Sequence, residues 1–231
     1  MIKHRTKEWY MARIGKFTAS NFHSLLARPA DKNATISKSA LNCIEKAAAQ
    51  LYFNAYYERP DSDSTCWGLK YENRAIQLFS ERIGKEVADI GYIEHPLINS
   101  VGATPDARVI DISNPDDLII AQIKCPYNAQ YHKDYLNKIL DTQSLKKKKS
   151  EYYWQIQGEM WVSGAVHSYF VSYDPRLSNL NDCLHFVEIQ RDEESILKVE
   201  EAVLQAIQLR DSILEDFRSG RRQPKHLYEY Y

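Results

Sequence analysis

The spacing of apolar residues predicts helices towards both ends of the chain. Leu41, Ile44 and Ala48 recur at intervals of three and four, which predicts a helix from residue 39 to about residue 57. A second helix is predicted from Trp67 to Gly84, because glycine is typical of a helix C-terminus. Residues 6–26 are expected to form two shorter helical pieces. A long amphipathic helix is predicted near the other end from an apolar stripe of Ile196, Val199, Val203, Ala206, Leu209 and Ile213.

In the middle of the chain the apolar residues follow the two-residue period of β-strands. Strands are predicted at residues 90–94, 100–111, 118–125, 166–173 and 184–190, with a helix at residues 152–164. The first three strands are separated by short turns, so we expect them to form a meander. This order predicts a mixed α/β (α+β) fold with a central mixed β-sheet flanked by helices.

Composition excludes some classes of protein but does not by itself identify the function. Hydrophobic residues make up 44% of the chain and charged residues 26%, and no run of 18 apolar residues predicts a membrane span. The amino terminus lacks the apolar run of a signal peptide, and the four cysteines lack zinc-binding spacing, which favours a cytoplasmic protein with reduced thiols. Because the net charge is −1, any DNA-binding surface has to be local.

A polar pair ends the otherwise apolar strand at residues 118–125. Strand alternation places Gln122 and Lys124 on one face. Asp106 is expected in the neighbouring strand, where it would face this pair. Glu72 lies on the apolar arc of its predicted helix and should therefore point inward, which is costly for a carboxylate unless it is paired or lies near a metal ion.

These four residues are suited to hydrolysis of a phosphodiester. Mg²⁺ prefers oxygen ligands such as carboxylates, and a bound cation polarises a phosphoryl oxygen and activates water. A lysine beside the cation can orient or deprotonate that water, because nearby positive charge lowers its pKa. The pattern of Pro105-Asp106 followed by Gln122-x-Lys124 is also compatible with a turn aspartate and a surface lysine, so by itself it leaves both interpretations open.

Further motifs occur in a fixed order around this pattern. They are Trp9-x₃-Arg13-x-Gly15-x₂-Thr18-Ala19-Ser20, Trp67-Gly68-x₂-Tyr71-Glu72-Asn73, Pro105-Asp106, Ile123-Lys124-Cys125-Pro126, Gln155-x-Gln157-x₂-Met160-Trp161 and Tyr173-Asp174-Pro175-Arg176. The succession resembles the lambda exonuclease and YqaJ-like viral recombinase family of the PD-(D/E)xK nuclease superfamily. The resemblance covers about residues 8–194. We therefore expect residues 1–231 to form a single nuclease domain, with a C-terminal helix and tail over residues 195–231.

The resemblance implies a PD-(D/E)xK restriction-endonuclease-like core and a role for each matching residue. Asp106 and Gln122 would lie at a site for two Mg²⁺ ions, which Mn²⁺ can replace, and the backbone carbonyl of Ile123 would bind one ion. Glu72 would hold the second ion, and Lys124 would activate the attacking water. Two further roles follow from the resemblance: the site would be lined by Gln155, and the 5′-phosphate of DNA would be bound by Arg13 and Ser20.

The implied activity is 5′→3′ exonuclease degradation of double-stranded DNA ends. Nucleotides would be released from the 5′-phosphorylated strand, and the 3′ single strand that remains would serve recombination. The family also implies a ring-shaped homotrimer, a single-strand annealing protein as partner, and a cytoplasmic protein encoded by a bacterial host or by a phage. Two alternatives stay open, a PD-(D/E)xK endonuclease and a DNA-end binding module without catalysis.

Position 122 departs from the family, whose members carry glutamate there. Glutamine offers a neutral carbonyl oxygen, so metal binding should be weaker and the activity attenuated or lost. Neither Ile120 nor Ala121 can replace the missing acid, and Asp117 lies too far along the strand. Either the glutamine is natural or a Glu→Gln change was introduced. The intact state of the other motif residues favours an introduced change.

Overall fold

The computed structural model describes residues 2–58 and 60–231. In these residues the helices are α1 Lys7–Ala12, α2 Ala19–Leu25, α3 Lys38–Phe53, α4 Asp63–Ile83, α5 Ala129–Lys138, α6 Thr142–Lys148, α7 Ser150–Ser163, α8 Leu180–Cys183 and α9 Glu193–Arg218, followed by a 3₁₀ turn, Leu227–Tyr230. The strands are β1 Phe17–Thr18, β2 Glu86–Ala88, β3 Ile93–Glu94, β4 Val101–Ala103, β5 Ala107–Ile110, β6 Ile119–Lys124, β7 His167–Tyr173 and β8 Leu184–Gln190.

A mixed sheet of five strands forms the centre of the described chain, in the order β2-β5-β6-β7-β8. The pair β6–β7 is parallel and the other neighbours are antiparallel. Helices cover both faces of this sheet, so the predicted mixed α/β architecture is confirmed. Ala121 and Ile123 of β6 pack with residues of α4, whereas Ile120 packs with residues of α5 and α7. Gln122 and Lys124 therefore alternate onto the α7 face.

The predicted strand at residues 100–111 is wrong in one respect, because it is two strands in different sheets. β4 pairs with β1 and β3 in a small sheet, whereas β5 pairs with β2 and β6 in the central sheet. Pro105 lies at the break, where its missing N–H and fixed φ are unfavourable to a continuous ladder. Asp106 nevertheless lies beside β6, since its backbone N–H donates to the Ala121 carbonyl over 3.1 Å.

The helix that carries Glu72 ends as predicted and begins earlier. Gly84 closes α4 in the left-handed region, with φ of 65°, as expected for a C-terminal glycine. The helix starts at Asp63 because the Ser62 side chain accepts a hydrogen bond from the Thr65 backbone and acts as its N-cap. The preceding helix α3 ends sooner than residue 57, at Asn54 with φ of 48°.

Two helices, α5 and α6, occupy residues for which the sequence predicted no regular structure. The lysine run at residues 146–149 lies at the C-terminal end of α6, where positive charge is favoured by the helix dipole. Lys146 also pairs with Asp192 at 3.2 Å, which ties α6 to the start of α9.

Helix α9 packs along α3 and completes a second apolar cluster beside the central sheet. Val199 and Val203 of α9 are fully buried there with Phe17, Phe22 and Ala48. The α1–β1 loop is held to this helix, because the Arg210 guanidinium donates to the Gly15 carbonyl over 2.7 Å. None of the described helices is both long enough and apolar enough to cross a membrane.

Candidate functional site

The site is built around Asp106, which lies between β4 and β5. Its Oδ2 accepts a hydrogen bond of 2.6 Å from the Ile123 backbone and another from Nε2 of Gln122. Gln122 is buried, with 2% of its surface exposed. The structure thus brings together the aspartate and the strand-end glutamine that the sequence placed opposite each other. Ile123 contributes its backbone here, while its side chain packs beneath α4.

Helix α7 supplies the next two groups. Nε2 of Gln155 donates to Oε1 of Gln122 over 2.6 Å and to Oε1 of Glu159 over 2.8 Å. A continuous hydrogen-bonded row therefore runs from Asp106 through Gln122 and Gln155 to Glu159. Glu159 is 1% exposed, and its second oxygen, Oε2, is buried and accepts no hydrogen bond from the described residues.

A third carboxylate approaches from helix α4. Glu72 is half-buried, and burial together with the nearby charge of Asp106 raises its pKa to about 7, while Lys124 acts in the opposite direction. Burial also raises the pKa of Asp106, against the charge of Lys124 and the two hydrogen bonds to its carboxylate. The pKa of Glu159 is raised well above its usual range by burial and by Asp106. The charge of Asp106 thus disfavours the ionised forms of Glu72 on α4 and Glu159 on α7.

Lys124 ends β6 on the same face as Gln122. Its Nζ lies 5.1 Å from the centre of the Tyr152 ring, and it forms no ion pair with any acid of the described chain. Its charge nevertheless stabilises the ionised forms of both Glu72 and Asp106. The lysine therefore lies close to the carboxylates without being neutralised by one of them.

The donor set fits a hard divalent cation in chemistry, although the carboxylates are not gathered as a closed set of ligands. Across residues 2–58 and 60–231, no three Asp, Glu, His or Cys side chains are arranged to hold a metal ion. At position 122 an amide N–H donates to Asp106, where a glutamate would offer a further anionic oxygen. The unpartnered oxygen of buried Glu159 is the observation that favours a cation site here, since buried carboxylates are normally paired or metal-bound.

A second group of residues surrounds Arg13. The guanidinium lies 3.9 Å above the Trp9 ring and donates to the hydroxyls of Thr18, at 3.1 Å, and Thr104, at 3.4 Å. Burial lowers the pKa of Arg13 to about 10, so it remains charged at neutral pH. No acid in the described part of the chain forms an ion pair with it. Ser20 is exposed beside it, with its Oγ 3.3 Å from that of Thr18.

Trp9, Arg13, Thr18 and Ser20 line a cavity of about 380 Å³ that is rich in cationic side chains. Arg5, Lys16 and Lys46 line it together with Arg13, and Asp61 of the lining is paired with Arg5. A cavity with this excess of positive charge, hydroxyl groups and an unpaired arginine is suited to a phosphate.

The cavity and the carboxylate site are connected by three consecutive residues, Thr104-Pro105-Asp106. Thr104 accepts hydrogen bonds from Arg13 and from Nε1 of Trp9, the latter at 2.9 Å, while Asp106 begins the carboxylate site. The structure therefore places all the predicted site residues in two adjoining groups.

The structure adds four residues to the site for which the sequence predicts no role: Glu159, Thr18, Thr104 and Trp9. A signal for Glu159 was present, because it follows Gln155 by four residues in a predicted helix, and this spacing puts both on one face. Trp9 and Thr18 belonged to the motif around Arg13. The contact of Thr104 with Arg13 depends on the division of the strand at Pro105 and had no sequence signal.

Comparison with known proteins confirms the resemblance that the motifs indicated. Residues 8–166, most of the chain, match the YqaJ-like viral recombinase domain. Over 68 residues the chain is 37% identical to the ExoD protein of Escherichia coli (strain K12), a match that covers 29% of this chain and 76% of ExoD.

Solved structures confirm the fold. An alkaline exonuclease (LHK-Exo) from Laribacter hongkongensis is 27% identical, with a TM-score of 0.77 over 94% of this chain and 98% of that one. Its complex with dAMP is equally similar, over 94% and 99% of the two chains. A phage-related exonuclease from Haemophilus somnus 129PT shares the fold at 19% identity, with a TM-score of 0.68 over 87% and 96%. With its motifs in order and the domain matched over most of its length, this chain belongs to the YqaJ-like viral recombinase domain family.

Proposed function

We propose that this protein is a Mg²⁺-dependent 5′→3′ exonuclease that acts on double-stranded DNA ends. The observation that carries the proposal is the direct link between the Arg13 cavity and the Asp106 site through Thr104. A terminal phosphate bound at Arg13 would place the first phosphodiester of that strand beside the carboxylates. The similarity to an alkaline exonuclease, a structure of which contains a mononucleotide, supports the same reaction.

Each side chain then has a distinct task. Asp106, Glu72, the Gln122 side-chain carbonyl and the Ile123 backbone carbonyl would hold two divalent cations, Mg²⁺ or Mn²⁺. When bound, these ions supply Lewis-acid polarisation of the phosphate and a lower pKa for water. Lys124 would orient the attacking water and, in its neutral form, would accept the proton that the water loses. Gln155 holds Gln122 in place, through the 2.6 Å hydrogen bond that it donates.

The amide at position 122 is expected to lower the rate of cleavage. A neutral oxygen binds Mg²⁺ more weakly than a carboxylate does, so the strand end by itself gives an attenuated site. We therefore propose that Gln122→Glu raises Mg²⁺-dependent turnover. A Gln122→Glu variant no more active than the parent would argue against a role for this position in metal binding.

The experiment that tests the activity compares three duplexes: linear DNA with 5′-phosphates, linear DNA with 5′-hydroxyls, and a covalently closed circle. We expect Mg²⁺-dependent release of nucleotides from the 5′-phosphorylated linear duplex, no cleavage of the circle, and loss of activity in EDTA and in Asp106→Asn. Cleavage of the circle would instead indicate an endonuclease. Retention of DNA ends with no cleavage, by both the parent and Gln122→Glu, would indicate a binding module.

The assembly and the recombination partner are part of the same proposal. A ring of three chains around the duplex would let the enzyme stay on its substrate, and a single-strand annealing protein would take up the 3′ strand. Light scattering of the protein alone should give three times the chain mass of 26.9 kDa. A monomer at working concentration would remove the ring from the proposal without touching the active site.

A further inference from the structure

Glu159 lies on helix α7 at the end of the row Asp106–Gln122–Gln155–Glu159. It is almost completely buried. Its Oε1 accepts one hydrogen bond, from Gln155, while Oε2 accepts none from the described residues. A buried carboxyl oxygen without a hydrogen bond is unfavourable, so a purely structural acid at this place would be disfavoured. Glu45, which is also buried, is by contrast paired with Arg222.

The surroundings of Glu159 are anionic rather than basic. Asp106 is the charged group with the largest effect on it, and Lys124 is the cation that acts on it. No arginine or lysine of the described chain forms an ion pair with Glu159. A second carboxylate near Asp106 with one free oxygen and no ion-pair partner is the arrangement that a divalent cation would stabilise.

Helix α7 is held close to the rest of the fold. A Cβ on Gly158 would lie 2.3 Å from the Phe22 ring, so only glycine permits the present approach of α7 to α2. The residue that follows this contact is Glu159, and the spacing of four from Gln155 keeps both on one helix face. The position of Glu159 is therefore set by packing on one side and by the Gln155 amide on the other.

We propose that Glu159 supplies the metal-binding carboxylate that Gln122 does not, so that the anionic ligand of this site comes from helix α7 rather than from strand β6. The proposal rests on the proposed nuclease function, because it assigns a ligand to that site. Asp106 from the β4–β5 junction, Glu72 from α4 and Glu159 are then the three carboxylates around the site, although they are not gathered as a closed set of ligands in this structure. A natural glutamine there then needs no introduced change to account for it.

The hydrogen bonds of the two glutamines are consistent with this exchange. Gln122 donates its amide to Asp106 and accepts from Gln155, and Gln155 donates to Glu159. A glutamate at position 122 has no N–H to give to Asp106. Gln122 and Gln155 thus link Asp106 to Glu159 by hydrogen bonds. Gln122 does so without adding a fourth negative charge to the three carboxylates.

The test transfers the carboxylate from helix α7 to strand β6 by mutation. Four proteins are compared: the parent, Glu159→Gln, Gln122→Glu, and the double variant that combines Gln122→Glu with Glu159→Gln. Mn²⁺ affinity is measured by titration calorimetry without DNA, and Mg²⁺-dependent nucleotide release is measured separately. We expect Glu159→Gln to weaken Mn²⁺ binding by about tenfold or more, since a shift of 1.4 kcal/mol is tenfold in affinity. The double variant should regain most of that affinity and the turnover.

Two controls separate the possible failures. Glu45→Gln removes a different buried carboxylate, so it should lower the melting temperature and leave Mn²⁺ affinity unchanged. Asp106→Asn should abolish Mn²⁺ binding in every background. If Glu159→Gln binds Mn²⁺ as the parent does while Asp106→Asn does not, the assignment of Glu159 is overturned and the proposed function stands. If the folded parent and Gln122→Glu neither bind Mn²⁺ nor cleave DNA, the proposed function itself is wrong.

Folding of the key variant is checked by circular dichroism and thermal melting. Should Glu159→Gln not fold, Glu159→Asp replaces it, because aspartate keeps the charge and withdraws the carboxylate by one methylene. A severalfold loss of Mn²⁺ affinity in folded Glu159→Asp supports the inference. Unchanged affinity in that variant refutes it.

Discussion

Replacing Arg13 by alanine should reduce recognition of 5′-phosphorylated ends far more than recognition of 5′-hydroxyl ends. The guanidinium is charged, has no acidic partner in the described chain and contacts two hydroxyls and the Trp9 ring. Its charge is therefore available to a ligand. A hydrogen bond to a charged group contributes about 1.5–3 kcal/mol, which corresponds to a loss of roughly tenfold to a hundredfold in affinity.

The cost to stability should be measurable. Alanine removes a cation–π contact worth about 0.5–1 kcal/mol at an exposed site and about 2 kcal/mol at a desolvated one, together with two hydrogen bonds to hydroxyls. For a domain of this length, each kcal/mol lowers the melting temperature by about 2–4 °C. We therefore expect Arg13→Ala to remain folded at assay temperature, with a melting temperature lower by several degrees.

The assay measures duplex affinity in Ca²⁺, with 5′-phosphate and 5′-hydroxyl ends, and turnover in the Gln122→Glu background. Arg13→Lys serves as the matched control, because it retains the charge and loses the planar fork. We expect an intermediate loss for lysine. Equal weakening on both kinds of end would refute the phosphate pocket and leave Arg13 as a general contact to the DNA backbone.

Three further predictions follow from the same geometry. Lys124→Ala, in the Gln122→Glu background, should abolish cleavage while duplex affinity in Ca²⁺ and the melting temperature change little; substantial residual turnover would exclude it as the residue that acts on water. In EDTA the melting temperature should fall as the pH rises from about 5 to about 8. The pKa of Glu72 in the folded state, about 7, lies above its unfolded value, so the folded state binds an extra proton at low pH and loses this stabilisation as the pH rises. Glu72→Gln should flatten this profile, and an unchanged slope would contradict the assignment of the raised pKa to Glu72. Gly158→Ala should destabilise the protein by about 1–3 kcal/mol through its clash with Phe22 and should slow cleavage, as denaturant melts and initial rates will show.

Local pattern predicted the part of the site that lies on single elements. Strand alternation put Gln122 and Lys124 on one face, and helix periodicity turned Glu72 inward, where the structure has it half-buried. Helices α5 and α6 were not predicted because residues 129–148 are polar and form only two short helices. These helices are stabilised by packing against β7, β8 and α7.

Glu159 was missed for a different physical reason. Along strand β6 only a residue that shares the alternation of Gln122 could replace the acid, and Asp117 is too distant. The carboxylate that meets the site comes from a helix, through the tertiary packing of α7 on α2 and through an amide that bridges to Gln122. Nothing in strand periodicity reports such a contact, whereas the four-residue spacing from Gln155 does.

The interruption of the sheet at Pro105 has a consequence for the length of the product. Thr104 accepts a hydrogen bond from Arg13 of the cavity and Asp106 belongs to the carboxylates, and two residues of extended chain span at most about 7 Å. If the terminal phosphate is bound at Arg13, this short covalent connection sets how far along the strand the bond to be cut can lie. The size of the released fragment is then a property of backbone length. An insertion of one residue beside Pro105 would change the distribution of fragment lengths, whereas side-chain substitutions in either group would change rates and affinities.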